Sequence, residues 1–539
     1  MTARRSASWT VSAGTLAWGG ATAAFIALRA LAVFHVPVGG FELWSLAGAW
    51  QARAGFDDGR YIPTLFQAVT AAVLRTTESE IPARLLALAS SLAIPISLFY
   101  VRNQVGQAAA LVALTLLALD PLQILLGATA TAAAVDIPLL FVFLALRGRL
   151  ARSSVSLAVV GFLAATAGPG VLPLLLGAVL AAPRQRTFDP RPPATVAVGV
   201  IAGVALASAG FGAGWQGLTI PPFELFAAGF ESGWSTETTA RIIALYGWAP
   251  AAFASFALAL RIAREGAGAF RQPLDRLASA WFAVTFAWCL VAGSSHDPLP
   301  VASLTAASAL LAAQGAVRLF EAIASTDWRR AGWPLAAALV ASATVVGPLL
   351  DWARLGQVGP ASEVVAVLVL TALIAGALAV LAHSARTRPV TLLPFAAAAA
   401  LPWLSGGFAV ASGSPNEPLP SPVTTLQARE LRDLVTGPSR DPSAIVAIHP
   451  SLAEALTWPL RGARGIVVSS RIPPNASVVV WEPGLAPPDG FRVLEGRWGI
   501  LRERNGPRSR FLDYLGWLAD RNTLPVRDIT AAIFVREAE

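Results

Sequence analysis

The chain contains no lysine, so every one of its 40 basic residues is arginine. It also has 1 cysteine, 1 methionine, 4 histidines and 4 tyrosines among 539 residues. A lone cysteine, Cys289, excludes an intrachain disulfide and any cysteine-based metal centre. No Walker loop occurs, no dinucleotide glycine fingerprint follows a strand, and no His/Cys cluster has ligand spacing. Charge of either sign is scarce. Only 13% of residues are charged against 55% hydrophobic, and the mean hydropathy is +0.61. Those values lie far from a soluble globular domain. The missing lysine, with abundant Ala, Gly and Pro, marks a GC-rich genome rather than a functional demand.

What charge there is has an order. In a soluble protein a net charge of +8 and a pI near 10.8 would point to nucleic acid. Here the arginines stand at the ends of apolar runs, so orientation in a membrane accounts for them and no nucleic-acid partner is implied. They cluster at Arg4/Arg5, Arg102, Arg147/Arg149/Arg152, Arg184/Arg186/Arg191, Arg261/Arg264/Arg271/Arg276, Arg318/Arg329/Arg330 and Arg386/Arg388. Two apolar stretches separate each cluster from the next, which is the positive-inside pattern repeated along the chain. The pattern predicts a multi-pass protein of the cytoplasmic membrane with a cytoplasmic N-terminus. The run from Trp9 to Phe34 is too long for a cleavable signal and reads as the first span.

The spans read as 10–35, 80–102, 107–119, 133–149, 154–167, 170–183, 194–214, 241–263, 275–293, 298–320, 331–351, 361–384 and 388–410. About 13 transmembrane helices result, several shorter than the ~20 residues that cross a bilayer. An odd total puts the C-terminus outside. Residues 1–411 form the membrane domain, and residues 36–79 are its first outward loop. Within that loop Phe41–Ala54 and Thr64–Arg75 have helical periodicity and read as helices lying in the interface. A second outward loop, 215–240, carries Trp215, Trp234 and several acids. Residues 412–422 are a Ser/Pro/Gly-rich linker. Residues 423–539 then read as a small extracytoplasmic α/β domain. Its strand-like runs are Ala444–Ile448, Gly465–Ser469, Ser477–Trp481, Phe491–Leu494 and Ile529–Val535; its helical runs are Leu452–Leu460 and Arg508–Arg521.

Chemistry is sought in the outward segments. Glu42, in Gly39-Gly40-Phe41-Glu42-Leu43-Trp44, fits an acid favoured by a helix dipole. It equally fits a general base or a metal-ligating carboxylate at the membrane surface. Asp120, before Pro121, fits a helix cap. Asp136 stands at the outer end of a span, where an ionisable group needs a cavity or a partner. Arg84 either snorkels to the headgroups or holds an anion. His296, in His296-Asp297-Pro298, fits a turn before a helix or a donor to phosphate. Asp57 and Asp58 read as a solvated turn. Asn475-Ala476-Ser477 matches a glycosylation acceptor tripeptide.

Three stretches carry a family likeness: Tyr61-Ile62-Pro63-Thr64-Leu65-Phe66 through Glu80-Ile81-Pro82-Ala83-Arg84-Leu85, Leu119-Asp120-Pro121 through Val135-Asp136-Ile137-Pro138-Leu139, and His296-Asp297-Pro298-Leu299. With the order of spans and loops, they resemble the GT-C membrane glycosyltransferases, including the protein O-mannosyltransferase-like and aminoarabinose-transferase-like enzymes. Thr457-Trp458-Pro459-Leu460-Arg461, Val478-Val479-Val480-Trp481 and the Arg508–Arg536 segment are similar to the flippase-activity-associated subgroup. The sequence departs from the family at three places. Phe41-Glu42 replaces an acidic pair, Gly127-Ala128-Thr129-Ala130-Thr131 replaces charged residues before Asp136, and His296 replaces a lysine.

The resemblance implies transfer of a sugar from a polyprenyl-phosphate donor to an acceptor protein, glycan or lipid on the outer face of the cytoplasmic membrane. It assigns Glu42 as base, Asp136 as its acidic partner, and Arg84 or His296 to the leaving phosphate. Family members differ in using a divalent metal, and the single early acid argues against a tight metal site. The three departures keep open an inactive relative that binds or helps translocate lipid-linked sugars, and beyond it a transporter.

Overall fold

The computed structural model describes residues 12–53, 65–149, 243–266, 273–291, 299–324, 403–413, 423–431, 445–504 and 526–536, apart from scattered single positions, and isolated positions between 158 and 202. Apart from those isolated positions, the expected spans 154–167, 170–183, 194–214, 331–351 and 361–384, residues 388–402 of the span 388–410, the loop 215–240, the residues Asp57, Asp58, His296 and Asp297, and the helical run Arg508–Arg521 lie outside the described residues.

The first half is helical. Helix α1 spans Ala13–His35, starting where the Ser12 hydroxyl accepts the Thr15 amide at 3.2 Å. Helices α2 (Gly40–Arg53) and α3 (Leu65–Leu74) follow within the stretch 36–79. The next apolar run is two helices, α4 (Ile81–Ser91) and α5 (Ala93–Val105). Pro95 explains the break at Leu92, because it has no N–H to give the preceding turn. Helices α6 (Gln107–Leu119), α7 (Pro121–Leu126) and α8 (Ala133–Arg149) follow. Later come α9 (Trp248–Glu265), entered through a π-turn at Ile243–Gly247, then α10 (Pro273–Val291) and α11 (Leu299–Ala324). Residues 403–411 are also helical. Among the described helical runs, Ala13–His35 and Ile81–Val105 are long and apolar enough to cross a membrane.

The bundle packs an apolar core and also carries large apolar side chains on its outside. Leu16, Phe34, Ile96, Phe99, Phe320 and Phe408 point outward, while Arg29, Asp120, Gln123, Thr285, Thr305 and Ser308 are buried. Apolar outward faces and inward polar groups suit a hydrocarbon solvent.

The C-terminal part is a six-stranded sheet with order β1-β5-β6-β4-β2-β3. Its strands are β1 (Val423–Thr424), β2 (Ile445–Ile448), β3 (Gly465–Val468), β4 (Ala476–Trp481), β5 (Phe491–Arg504) and β6 (Val526–Arg536). Strands β3, β2 and β4 run parallel, while β4, β6, β5 and β1 pair antiparallel. Helix α12 (Pro450–Leu456) joins β2 to β3.

One apolar core joins the sheet to α2 and α3. Leu43, Leu46 and Ala49 of α2 and Phe66, Ala71 and Leu74 of α3 are buried with Val446, Ile448, Leu452, Leu456, Val478 and Val480. The apolar faces of α2 and α3, expected to lie against lipid, are thus taken up by protein. A sheet with one alternating apolar face needs such a cover.

Candidate functional site

Helix α1 stops at His35, so its last carbonyls have no partner within the helix. Arg84, in the first turn of α4, answers them. Its Nη1 donates to Val33 O at 2.9 Å and Val36 O at 2.8 Å. The rest of its fork faces Glu42 in the first turn of α2. Nε donates to Glu42 Oε1 at 2.7 Å and Nη2 to Oε2 at 2.5 Å. Glu42 Oε1 also accepts the Ala130 amide at 2.9 Å. The Arg84 and Glu42 side chains are 3% and 1% exposed. The carboxylate thus ties together the end of α1, the starts of α2 and α4, and the turn before α8.

This geometry bears on two of the expected roles. Arg84, expected to meet the donor phosphate, commits both faces of its fork within the protein. Glu42, expected to act as a base, has both oxygens occupied by donors. A buried charge in hydrocarbon-like surroundings is costly unless paired, so the two residues complete each other.

The segment 120–136 lies beside them. Asp120 ends α6 in an extended conformation and caps α7, its Oδ1 accepting the Gln123 amide at 2.8 Å. Its Oδ2 accepts the Trp403 indole N–H at 3.3 Å. Burial pushes the Asp120 carboxyl up to about 6, against the pull of the Gln123 and Trp403 donors and the Arg29 charge. Gln123 Nε2 in turn donates to Ala302 O at 2.9 Å and Thr305 Oγ1 at 3.1 Å on α11. Asp120 is therefore a cap that locks the α6–α7 corner. Asp136 is buried in the first turn of α8, which Ser90 of α4 anchors through a 2.8 Å bond to Ala134 O. Glu42 and Arg84 thus meet where α2, α4 and the turn before α8 come together.

Sequence reasoning passed over Arg29. It is fully buried in α1, donating to Phe25 O at 3.1 Å and Leu117 O at 3.0 Å. Its guanidinium carbon lies 3.4 Å over the Phe25 ring. A lone arginine inside an apolar span was the available signal. Also unforeseen is the seam to the C-terminal sheet. Arg461 Nη2 lies 3.9 Å from Glu80 Oε2, and its guanidinium covers the Trp458 ring at 4.0 Å. Trp458 meets Trp50 of α2 edge-on at 6.1 Å. Among the described residues no group of three or more His, Cys, Asp or Glu is placed to hold a metal ion.

No protein-family model matches the chain, and no curated protein matches it by sequence. Solved structures do match by fold. The crystal structure of ArnT from Cupriavidus metallidurans bound to undecaprenyl phosphate aligns with a TM-score of 0.52 at 14% identity, covering 97% of this chain and 98% of that one. The apo state of the same protein aligns with a TM-score of 0.51 at 16% identity, with the same coverage. Helical bundle and C-terminal sheet are both included in that overlap, so this chain has the fold of ArnT.

Proposed function

We propose that the chain is a membrane glycosyltransferase that takes a sugar from a polyprenyl-phosphate donor and passes it to an acceptor at the outer face of the cytoplasmic membrane. The observation that carries this reading is the whole-length correspondence with ArnT in a structure that holds undecaprenyl phosphate. The outward apolar residues of the bundle support a membrane setting for a lipid donor.

The reaction breaks the bond between the anomeric carbon and the phosphate oxygen. It needs a base on the acceptor hydroxyl and positive charge or donors on the departing phosphate. A carboxylate holding three donors is committed to positioning, so Glu42 orders the junction and Arg84 holds it there. Proton acceptance falls to Asp136, the buried acid in the first turn of α8. His296 remains the candidate for the phosphate.

A second reading has its own support. Full occupation of Glu42 by Arg84 and Ala130 suits a non-catalytic relative that binds or helps move lipid-linked sugars.

The experiment uses purified protein in nanodiscs with a panel of radiolabelled undecaprenyl-phosphate sugars and cell-envelope acceptor fractions. The wild type transfers label, and Asp136→Asn loses ~10²–10⁴-fold of the rate while still binding undecaprenyl phosphate. Donor-lipid binding without transfer by the wild type selects the second reading. Failure to bind any polyprenyl phosphate defeats both.

A further inference from the structure

Glu80 stands just before α4, yet its side chain makes no capping bond to that helix. Ser79 serves instead, its Oγ accepting the Ile81 amide at 3.2 Å. The Glu80 carboxylate is thus left for longer contacts, and two arginines share it. Arg461 Nη2, from the segment after α12, lies 3.9 Å from Glu80 Oε2. Arg84, whose amide donates to Glu80 O at 3.0 Å, also feels the Glu80 charge. An acid four residues before an arginine lies on the same face of a helical turn. Arg84 in turn holds Glu42, and Glu42 the Ala130 amide. Charges of alternating sign therefore run Arg461, Glu80, Arg84, Glu42, from the C-terminal sheet to the turn before α8.

Arg461 is fixed at its end of this row. Its Nη1 donates to Trp458 O at 3.0 Å, and its guanidinium covers the Trp458 ring, which packs edge-on against Trp50 of α2. The Arg461 and Glu80 side chains are 8% and 19% exposed, so the pair is screened less than one at a free surface. The flanking residues share one core. Leu43 beside Glu42, Ala83 beside Arg84, and Ala130 itself are buried with Leu456, Trp458 and Leu460. The segment that carries Arg461 and the ends of α2 and α4 are therefore one packed unit, and close packing transmits small displacements. At the far end of the row, the turn held by Glu42 leads into α8, whose first turn contains Asp136.

We infer that Arg461 is a positioning residue for sugar transfer: through Glu80 it sets the first turn of α4, and with it the Arg84–Glu42 pair. This rests on the transferase reading above and gives the C-terminal sheet a part in the reaction. A contact that only held sheet and bundle together would cost stability when removed and leave the turnover of the folded protein unchanged.

The test compares wild type, Arg461→Met, Arg461→Lys, Glu80→Gln and the double variant Arg461→Met/Glu80→Gln, each as the full chain in nanodiscs. Transfer kinetics with radiolabelled undecaprenyl-phosphate sugars, melting temperature, and hydrogen exchange of peptides covering 42–46, 81–87 and 128–136 are measured. Methionine keeps an apolar cover on Trp458 and removes the charge. Arg461→Met lowers kcat ~10-fold, with the donor KM within ~2-fold of wild type and exchange raised in all three peptides. Arg461→Lys, which keeps the charge, recovers most of the rate. Glu80→Gln loses at least as much as Arg461→Met, and the double variant falls no further, because both act through one contact. Should Arg461→Met fail to fold, Glu80→Gln and Arg461→Lys carry the same comparison. A kcat within ~2-fold of wild type in the charge-removing variants, or a loss seen only as a lower melting temperature, overturns the assignment. A wild type that transfers no sugar overturns the transferase reading instead. Hydrogen exchange then decides the coupling: a rise at 42–46 and 128–136 upholds it, and unchanged exchange there overturns it.

Discussion

Arg84 grips the Glu42 carboxylate with two parallel N–H···O bonds across 42 positions of sequence, at 2.7 and 2.5 Å. Neither side chain has appreciable access to solvent. The same guanidinium closes the last carbonyls of α1, so one residue organises three helix ends. Such pairs contribute little net stability against an apolar replacement, yet leaving one partner alone is costly.

The expected consequence is non-additivity. Arg84→Met strands a buried carboxylate and two carbonyls, and Glu42→Gln strands a guanidinium charge. Each single change should lower stability by ~3–5 kcal/mol. The double variant should recover ~0.5–3 kcal/mol of the summed loss. Thermal unfolding in detergent of the four proteins measures this. Strictly additive losses would mean that the pair acts independently.

Asp120 gives a second expectation. As the cap of α7 it accepts a backbone amide through one oxygen and the Trp403 indole through the other. Asp120→Asn keeps an oxygen for the Gln123 amide, whereas Asp120→Ala keeps neither contact. Removing such a cap typically costs ~0.5–2 kcal/mol. Asp120→Asn should retain donor-lipid binding and transfer within a few-fold of wild type, with Asp120→Ala the less stable. A transfer rate lost in Asp120→Asn at unchanged stability would make Asp120 a participant in chemistry.

Much of the helical half was legible because local signals coincide with tertiary ones. Ser12, Gly106 and Asp120 stand at boundaries that the hydropathy pattern also marks, so α1, α6 and α8 fall close to their expected limits. Pro95 gave a signal for the break at Leu92 that an average over the span conceals. Strand β5 was read far too short, as Phe491–Leu494. Glu495, Gly496 and Arg497 interrupt its alternation, and the ladder absorbs them as register shifts between Val493 and Leu501. Glu42, Arg84, Asp120 and Asp136 were all identifiable as unusual residues. Their partners were not, since which carboxylate an arginine meets 42 positions away is decided by packing and leaves no local pattern. The covering of α2 and α3 by a distant sheet was hidden for the same reason. An amphipathic face looks alike whether lipid or protein fills it.

Close approach of helices yields a third expectation. Gly407, in the helical stretch 403–411, faces the Leu119 carbonyl at the end of α6, where an added Cβ would overlap the backbone oxygen. Small residues permit such contacts between membrane helices. Gly407→Ala must push that stretch away from α6 and disturb the Trp403 bond to Asp120. A loss of ~1–3 kcal/mol is expected, the usual cost of overpacking a tight site. Gly14→Ala, at a position with only a Ser12 contact at 3.8 Å, is the matched control and should change little. Equal melting temperatures for Gly407→Ala and wild type would show that the approach is not tight.

Topology supplies the last expectation. Arginines bias the loops that carry them toward the cytoplasm, because moving them across the membrane is opposed during insertion. Arg102 fits such a boundary: its guanidinium folds back over Phe99 at 3.5 Å and bonds the Phe99 carbonyl at 2.5 Å. The neighbouring Asn103 is exposed, as is Asn475 in the turn before β4. The arginine alternation puts Asn103 inside and Asn475 outside. With Cys289→Ala as background, an impermeant maleimide should label Asn475→Cys in intact cells and leave Asn103→Cys unlabelled until the membrane is opened or inverted. The buried native cysteine makes that background mild, since only one thiol is replaced by a slightly smaller side chain. Labelling of both positions only once the membrane is opened or inverted would require an even number of crossings between them. In that case the sheet, the α2–α3 helices beneath it and the Glu42–Arg84 junction would all face the cytoplasm, and a donor lipid presented at the outer leaflet would have no route to them.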